Sequence, residues 1–102
     1  MKTTIVRYKV RPEAAKENEE LIRKVFAQLA RDRTRGMRYQ SFRLDDGVSF
    51  VHIASYDETL WEANPLRELA AFRDFLEGIG GRCEEQPVSL PAGQIGAHDS
   101  LS

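Results

Sequence analysis

The sequence has little of what disulfides and metal sites are built from. Its 102 residues include a single cysteine, Cys83, which excludes an intrachain disulfide and a multi-cysteine metal site. The acidic residues lack the spacing of a metal-ligand set, so we predict no metal site. Neither sign of charge dominates, because 15 lysines and arginines are interleaved with 16 aspartates and glutamates. Such a surface offers no basic stripe, and we expect no nucleic-acid partner.

Long apolar runs are missing as well. The longest is far too short to span a bilayer, and the first residues lack the charged and apolar regions of a signal peptide. We therefore expect a cytoplasmic protein with no membrane partner. Apolar residues still make up 41% of the chain, an ordinary share for a globular protein, and the length suits one domain with a small core.

What is present is a hairpin signal in residues 36–56, GMRYQSFRLDDGVSFVHIASY. Two alternating runs flank Asp46-Gly47, and this dipeptide is a strong signal for a tight turn because glycine accepts a positive φ. The second run, from Val48 to Tyr56, carries apolar side chains on both faces. It is therefore predicted to be a central strand that is covered on both sides.

Two helices and two further strands are predicted around the hairpin. Their expected bounds are residues 3–10, 13–33, 65–77 and 82–90. The helices show apolar side chains at helical spacing, and the first strand is rich in β-branched residues. Gly36 is expected to stop the first helix, and Asn64 to cap the second. The expected buried side of the second helix consists of Leu66, Leu69, Phe72, Leu76 and Ile79.

The element order β-α-β-β-α-β predicts a ferredoxin-like α+β fold. Right-handed crossovers place both helices on one face of a four-stranded antiparallel sheet, with the hairpin's second strand beside the first strand. The domain is expected to span residues 1–91, and residues 92–102 to form a C-terminal arm or flexible tail. The face without helices still carries apolar side chains, which a symmetric homodimer would cover.

Four stretches carry a resemblance to a known family: a VRYKVRP opening, a helix ending in VFAQLA, the hairpin itself, and an NPLRELAAFRDF helix. Over residues 3–97 the chain resembles the antibiotic biosynthesis monooxygenase-like family of the dimeric α/β barrel (ferredoxin-like) superfamily. The resemblance implies a homodimer whose sheets close into a barrel, with a small cleft between sheet and helices in each subunit. That family includes cofactor-free oxygenases of polycyclic phenols or quinols, heme-degrading enzymes, and proteins without a known activity.

The resemblance also suggests site residues. Heme-degrading relatives use an asparagine on the first strand, a tryptophan near the second helix and a histidine on that helix. Only Trp61 has a counterpart here, so heme degradation is disfavoured and no cofactor is expected. The cofactor-free oxygenases pair an asparagine and a tryptophan with a tyrosine. The residues that imitate this set are Asn64, Trp61, and Tyr39 or Tyr56.

His52 is the strongest catalytic candidate in the sequence itself. It lies mid-strand among apolar side chains, so it is placed to project into the cleft or the barrel. A histidine there can deprotonate a phenolic substrate near neutral pH, which makes the substrate electron-rich enough to react with oxygen. The alternative is a partly buried histidine that one hydrogen bond satisfies.

Each remaining candidate has a plainer alternative. Trp61 either stacks on an aromatic ligand or closes the core, and Asn64 either takes part in catalysis or only caps the helix. The candidates for ligand binding are Tyr8, Tyr39, Phe50 and Tyr56, which are otherwise packing residues. Two functions remain open. One is a cofactor-independent monooxygenase-like oxidoreductase acting on a small aromatic quinol or polycyclic phenol, and the alternative is a non-catalytic dimeric module for small-molecule binding or assembly.

Overall fold

A strand, a helix and a β-hairpin begin the fold, and a second helical segment and a last strand complete it. The structure, a computed structural model, describes residues 1–101. Its strands and α-helices are β1 (Lys2–Val10), α1 (Ala15–Asp32), β2 (Met37–Arg43), β3 (Ser49–Tyr56), α2 (Ala70–Leu76), α3 (Ile79–Arg82) and β4 (Cys83–Ala92). Two 3-10 helices, Pro12–Ala14 and Pro65–Glu68, precede α1 and α2.

The sheet is antiparallel with the strand order β2-β3-β1-β4. Within it Tyr8 pairs with Phe50, and His52 pairs with Val6 on one side and Ser41 on the other. The predicted ferredoxin-like α+β fold is confirmed, including the position of the hairpin's second strand beside the first. Since side chains alternate along a strand, this register places Tyr8, Phe50 and His52 on the face that the helices cover.

The core lies between the helices and this face of the sheet. Ile22 and Val25 of α1 are buried there, together with Val10, Phe50 and Leu66. The apolar stripe predicted for the first helix therefore faces the sheet, as helical periodicity requires. The same stripe also carries a fully buried polar residue, described below.

The first helix ends earlier than predicted. Its C-cap is Arg33, which adopts the left-handed conformation with φ 51°, so Gly36 does not stop α1. Gly36 instead turns the chain into β2 with φ 75°, a value that glycine reaches without strain. Leu60 and Trp61 pack so closely on this glycine that a Cβ would lie 2.7 Å from Leu60 Cδ1. Gly36 is thus required by the close contact and by its φ.

The predicted second helix is broken into two parts. The last hydrogen bond of the 3-10 helix Pro65–Glu68 joins the Leu69 N–H to the Leu66 carbonyl at 3.0 Å. Leu69 itself is extended, with ψ 127°. After Leu69 the helix begins again as α2, and its side chains point in directions different from those that an unbroken helix would give them. Phe75 consequently faces the core, whereas Leu76, which an unbroken helix would bury, is exposed. The prediction for Leu76 was therefore wrong.

The turn and the last strand are both longer than predicted. The hairpin turn spans residues 44–48 around Gly47, whose φ is 78°, and the Asp46 carboxylate accepts hydrogen bonds from the Val48 and Ser49 N–H groups. In β4, Pro87 lies where the register with β1 shifts. A proline can stay in the strand there because the irregularity needs no ladder hydrogen bond from it.

The other face of the sheet carries a row of apolar side chains among polar ones. Ile5 pairs with Ile53 and with Leu90, which places the three side chains in one row across the sheet. Phe42, Val88 and Leu90 on this face are 47%, 44% and 43% exposed. Residues 97–101 lie near the β2–β3 part of the face and share a recess with Ile53.

Candidate active site

A cavity of about 900 Å³ lies between the helix-facing side of the sheet and the segment from Asn64 to Ile79. This volume falls in the range of small-molecule sites. Aromatic and aliphatic side chains supply much of its wall, among them Tyr8, Tyr39, Tyr56, Leu66, Phe72 and Phe75. His52 also lines the cavity, and it is the only histidine among the lining residues.

His52 has hydrogen-bond partners on both ring nitrogens. Its Nε2 lies 2.7 Å from the Tyr8 hydroxyl, and its Nδ1 lies 2.6 Å from Ser41 Oγ and 3.0 Å from the Tyr39 hydroxyl. The ring is stacked between the two tyrosines, at interplanar angles of 11° to Tyr8 and 8° to Tyr39. Stacking and hydrogen bonding together hold the imidazole in one orientation.

The hydrogen-bond chain continues behind Tyr8 into the core. The Asn18 Nδ2 donates to the Tyr8 hydroxyl at 2.9 Å, and the Arg82 Nε donates to Asn18 Oδ1 at 3.1 Å. Asn18 is 0% exposed and Arg82 only 6%. The other guanidinium nitrogens of Arg82 donate to the carbonyls of Phe75, at 2.6 Å, and Glu77, at 3.3 Å. These carbonyls lie at the end of α2, where the helix dipole favours a positive charge.

The guanidinium sets the direction of the hydrogen bonds from Arg82 as far as Tyr8. Arginine can only donate, so the Asn18 carbonyl must face Arg82 and the Asn18 amide must donate to Tyr8. The Tyr8 O–H is then left to donate to His52 Nε2. His52 consequently carries its proton on Nδ1, which donates toward Ser41 and Tyr39.

Burial keeps these groups neutral. It lowers the pKa of His52 from 6.5 to about 4, so the imidazole is unprotonated at neutral pH. It raises the pKa of Tyr39 to about 12 and that of Tyr8 well above its ordinary value. Arg82 is therefore the one charged member of this series of hydrogen-bonded side chains. Every buried side-chain polar atom in residues 1–101 has a hydrogen-bond partner.

The structure brings most of the predicted site residues together. His52, Tyr8, Tyr39, Tyr56 and Asn64 all line the cavity. The Asn64 side chain also accepts the Leu66 N–H at 3.0 Å, which is the helix-cap role that the sequence left open. The geometry thus gives Asn64 a capping bond at the edge of the cavity.

Phe50 and Trp61 lie outside the cavity wall. Phe50 is buried, with its ring stacked on Tyr8 at 5.6 Å between centroids, so it supports Tyr8 from within the core. The Trp61 Nε1 donates to the Arg35 carbonyl at 2.9 Å, which ties the connector to the start of β2. In this arrangement Trp61 packs on Gly36 and is not among the cavity-lining residues.

Sequence reasoning missed Asn18, Ser41, Phe75 and Arg82. Asn18 did carry a signal, because it precedes Ile22 by four residues and so lies on the apolar stripe of the helix. A polar residue at such a position must find a buried partner. Arg82 carried no comparable signal, since it follows the glycines that end the helical segment and resembles an ordinary strand start.

Two further properties concern the part of the chain that the structure describes. In residues 1–101 no three His, Cys, Asp or Glu side chains cluster in a way that could hold a metal ion. None of the helices found there has the length and apolarity needed to cross a membrane.

No family model and no curated protein sequence matches this chain. Solved structures do match. A proposed antibiotic biosynthesis monooxygenase from Nitrosomonas europaea is 21% identical with a TM-score of 0.73, covering 93% of this chain and 99% of the other. A proposed enzyme of the same kind from Caulobacter crescentus is 18% identical with a TM-score of 0.70, covering 93% and 90%.

A third solved structure is that of SnoaB, described as a cofactor-independent oxygenase from Streptomyces nogalater. It is 22% identical to this chain with a TM-score of 0.61, covering 91% of this chain and 93% of SnoaB. At such identities the likeness concerns the fold. The chain therefore has the fold of the solved antibiotic biosynthesis monooxygenase-like proteins, as the resemblance of its sequence predicted.

Proposed function

We propose that the cavity binds a small aromatic phenol or quinol and that the protein oxygenates it with O₂ and without a cofactor. The observation that carries the proposal is the 2.7 Å hydrogen bond between Tyr8 and the neutral His52 beside an aromatic-walled cavity. The shared fold with a cofactor-independent oxygenase supports the same reaction class.

The walls suit a flat apolar ligand. Tyr39, Tyr56, Phe72 and Phe75 offer ring faces or edges, and a planar aromatic ring packs favourably against such groups. Tyr8 and His52, which are buried, also line the cavity. A ligand with a ring body and one hydroxyl group would match this division, with the hydroxyl directed at Tyr8.

Tyr8 is the group we propose to meet the substrate hydroxyl. Both nitrogens of His52 already have partners, so a substrate proton reaches the imidazole through Tyr8. The substrate O–H transfers its proton to the Tyr8 oxygen as the Tyr8 proton moves to His52 Nε2. The imidazolium so formed is disfavoured by burial, and the negative charge of the new phenolate nearby offsets this cost.

The oxidation then needs only O₂. Anthrone illustrates the balance, because its methylene carbon takes one oxygen atom and becomes a carbonyl. The other oxygen atom leaves as water with the two methylene hydrogens. Oxygen is both the oxidant and the source of the new oxygen atom, so one O₂ is consumed for each molecule of substrate.

Oxygen uptake by the purified protein against a panel of quinols and anthrone-like phenols tests this proposal. We expect protein-dependent uptake without an added cofactor, and we expect Tyr8→Phe to lower kcat by about 10²-fold or more because the proton relay is lost. His52→Gln is expected to act similarly, whereas His98→Gln, which changes an exposed histidine near the C-terminus, should retain full activity. Equal turnover by Tyr8→Phe and the unaltered protein would contradict the relay.

The second candidate function is a binding module without catalysis. It is favoured by the complete hydrogen bonding of His52 and by the lowered pKa of that histidine, which are also the marks of a structural buried histidine. Binding of the same phenols with no oxygen uptake across the panel would select this function over the oxygenase.

We also propose that two copies of the chain pair through the open face of the sheet. The support is the row formed by Ile5, Ile53 and Leu90, together with the exposure of Val88 beside it. A monomer would leave this apolar surface in water, and a symmetric dimer removes it.

Sedimentation equilibrium tests this pairing. Leu90→Glu places a charge in the proposed interface and is expected to convert a dimer to a monomer, because an unpaired carboxylate would have to be buried. Ala27→Glu adds the same charge on the exposed side of α1 and should leave the dimer intact. A dimer that survives Leu90→Glu would place the interface elsewhere.

A further inference from the structure

The exposed lining residues of the cavity, which form its rim, differ in charge from the buried lining residues. Lys2, Arg67 and Arg73 are among the lining residues, and all three are exposed. Glu62 is the one acidic side chain that lines the cavity with them. The amine of Met1, also at the rim, lies 3.8 Å from a Glu58 carboxylate oxygen and is balanced by it.

The three cations have no ionic partner of their own. Within residues 1–101, none of them forms a salt bridge, although six other pairs are present. Arg73 reaches only the carbonyl of Glu68, at 3.5 Å. The rim therefore carries an excess of positive charge, even though the whole chain has a formal net charge of −1. Low-dielectric walls beside such a rim strengthen its field toward an approaching anion.

At least one of the three cations lies far from the Tyr8–His52 pair. Lys2 and Tyr8 lie six residues apart on β1, which corresponds to roughly 20 Å between their Cα atoms. Arg67 lies next to Leu66, in the 3-10 helix that begins the helical wall. The cavity thus has the neutral Tyr8 hydroxyl toward one end of β1 and the Lys2 cation toward the other, while Arg73 reaches the Glu68 carbonyl of the 3-10 helix that carries Arg67.

From this division we infer that the natural ligand is an aromatic carboxylate, with its ring body in the cavity and its carboxylate among Lys2, Arg67 and Arg73. The inference rests on the proposed function, since it concerns the occupant of the same cavity. Guanidinium groups suit this role because they can bind a carboxylate through two parallel hydrogen bonds.

The test compares two probes of the same ring system and nearly the same shape, the anion anthracene-2-carboxylate and the neutral anthracene-2-carboxamide. Neither has a phenolic proton, so binding is measured apart from oxygenation, by fluorescence anisotropy. The unaltered protein is expected to bind the carboxylate about tenfold more tightly than the amide at low salt. This preference should shrink as salt is added, because the cations are exposed.

A triple variant, Lys2→Gln with Arg67→Gln and Arg73→Gln, is expected to lose the preference while keeping its affinity for the amide. Arg31→Gln removes one positive charge on α1, where Arg31 pairs with Asp32, and should keep the preference. Equal binding of both probes by the unaltered protein would overturn the inference and leave the aromatic site standing. A preference that persists in the triple variant would also overturn it, and binding of neither probe would overturn the proposed function as well.

Discussion

Replacing Arg82 by methionine is expected to lower the free energy of unfolding by about 3 kcal/mol. The side chain is almost fully buried and donates to Asn18, to the Phe75 carbonyl and to the Glu77 carbonyl. Methionine fills a similar space but donates nothing, so buried acceptors are left without partners. Each such acceptor costs about 1–3 kcal/mol, and removal of a buried charge offsets part of the total.

Urea unfolding of Arg82→Met and of the unaltered protein would measure this loss. Arg31→Met serves as the control, because the Arg31 side chain is 73% exposed, and its effect should stay within about 0.5 kcal/mol. Arg82→Lys is expected to fall between the two, since an ammonium lacks the fork that reaches three acceptors. A loss below about 1 kcal/mol for Arg82→Met would mean that the guanidinium does not hold α1, α2 and α3 together.

A double-mutant cycle would show that Arg82 acts through Asn18. Asn18→Leu removes the acceptor that Arg82 Nε uses and also the donor to Tyr8. If the hydrogen-bond chain is a unit, the two substitutions should cost clearly less together than the sum of their separate effects. Additive losses would instead indicate two independent contributions.

The second large effect is a loss of stability in mild acid that His52 controls. The unfolded chain binds a proton at this histidine below pH 6.5, whereas the folded protein does so only near pH 4. Protonation therefore favours the unfolded state, and the stability falls as the pH is lowered through this window. Between about pH 7.5 and about pH 5, we expect a loss of roughly 2 kcal/mol from this one group.

Urea titrations at several pH values would measure this slope. His52→Gln is expected to flatten it, whatever the variant's own stability at neutral pH. His98→Gln, which removes the other histidine of the chain, should retain it. Three carboxylates become protonated only at pH values below this window. Hydrogen bonds hold the pKa values of Glu19, Asp46 and Asp57 below the ordinary ones. A slope that survives in His52→Gln would show that another group titrates.

Much of the fold follows from the sequence alone. The alternation around His52 and the helical spacing of Ile22 and Val25 are local patterns, and each fixes which side of an element must be buried. Element order and right-handed crossovers then leave few topologies, of which the observed sheet is one. The same alternation sorted the side chains of each strand into two faces, and the observed register then showed that Tyr8, Tyr39 and His52 share the face that the helices cover.

The tertiary structure alone decided which of these side chains bond to one another. Arg82 meets Asn18 across 64 positions of the chain, and Tyr8 meets His52 across 44. It also decided the break at Leu69, which turned Phe75 into the core, and the packing of Trp61 on Gly36. Periodicity constrains neighbours within one element, whereas a buried hydrogen bond needs donor and acceptor from separate elements at one distance and angle. Those distances and angles exist only once the helices have closed over the sheet.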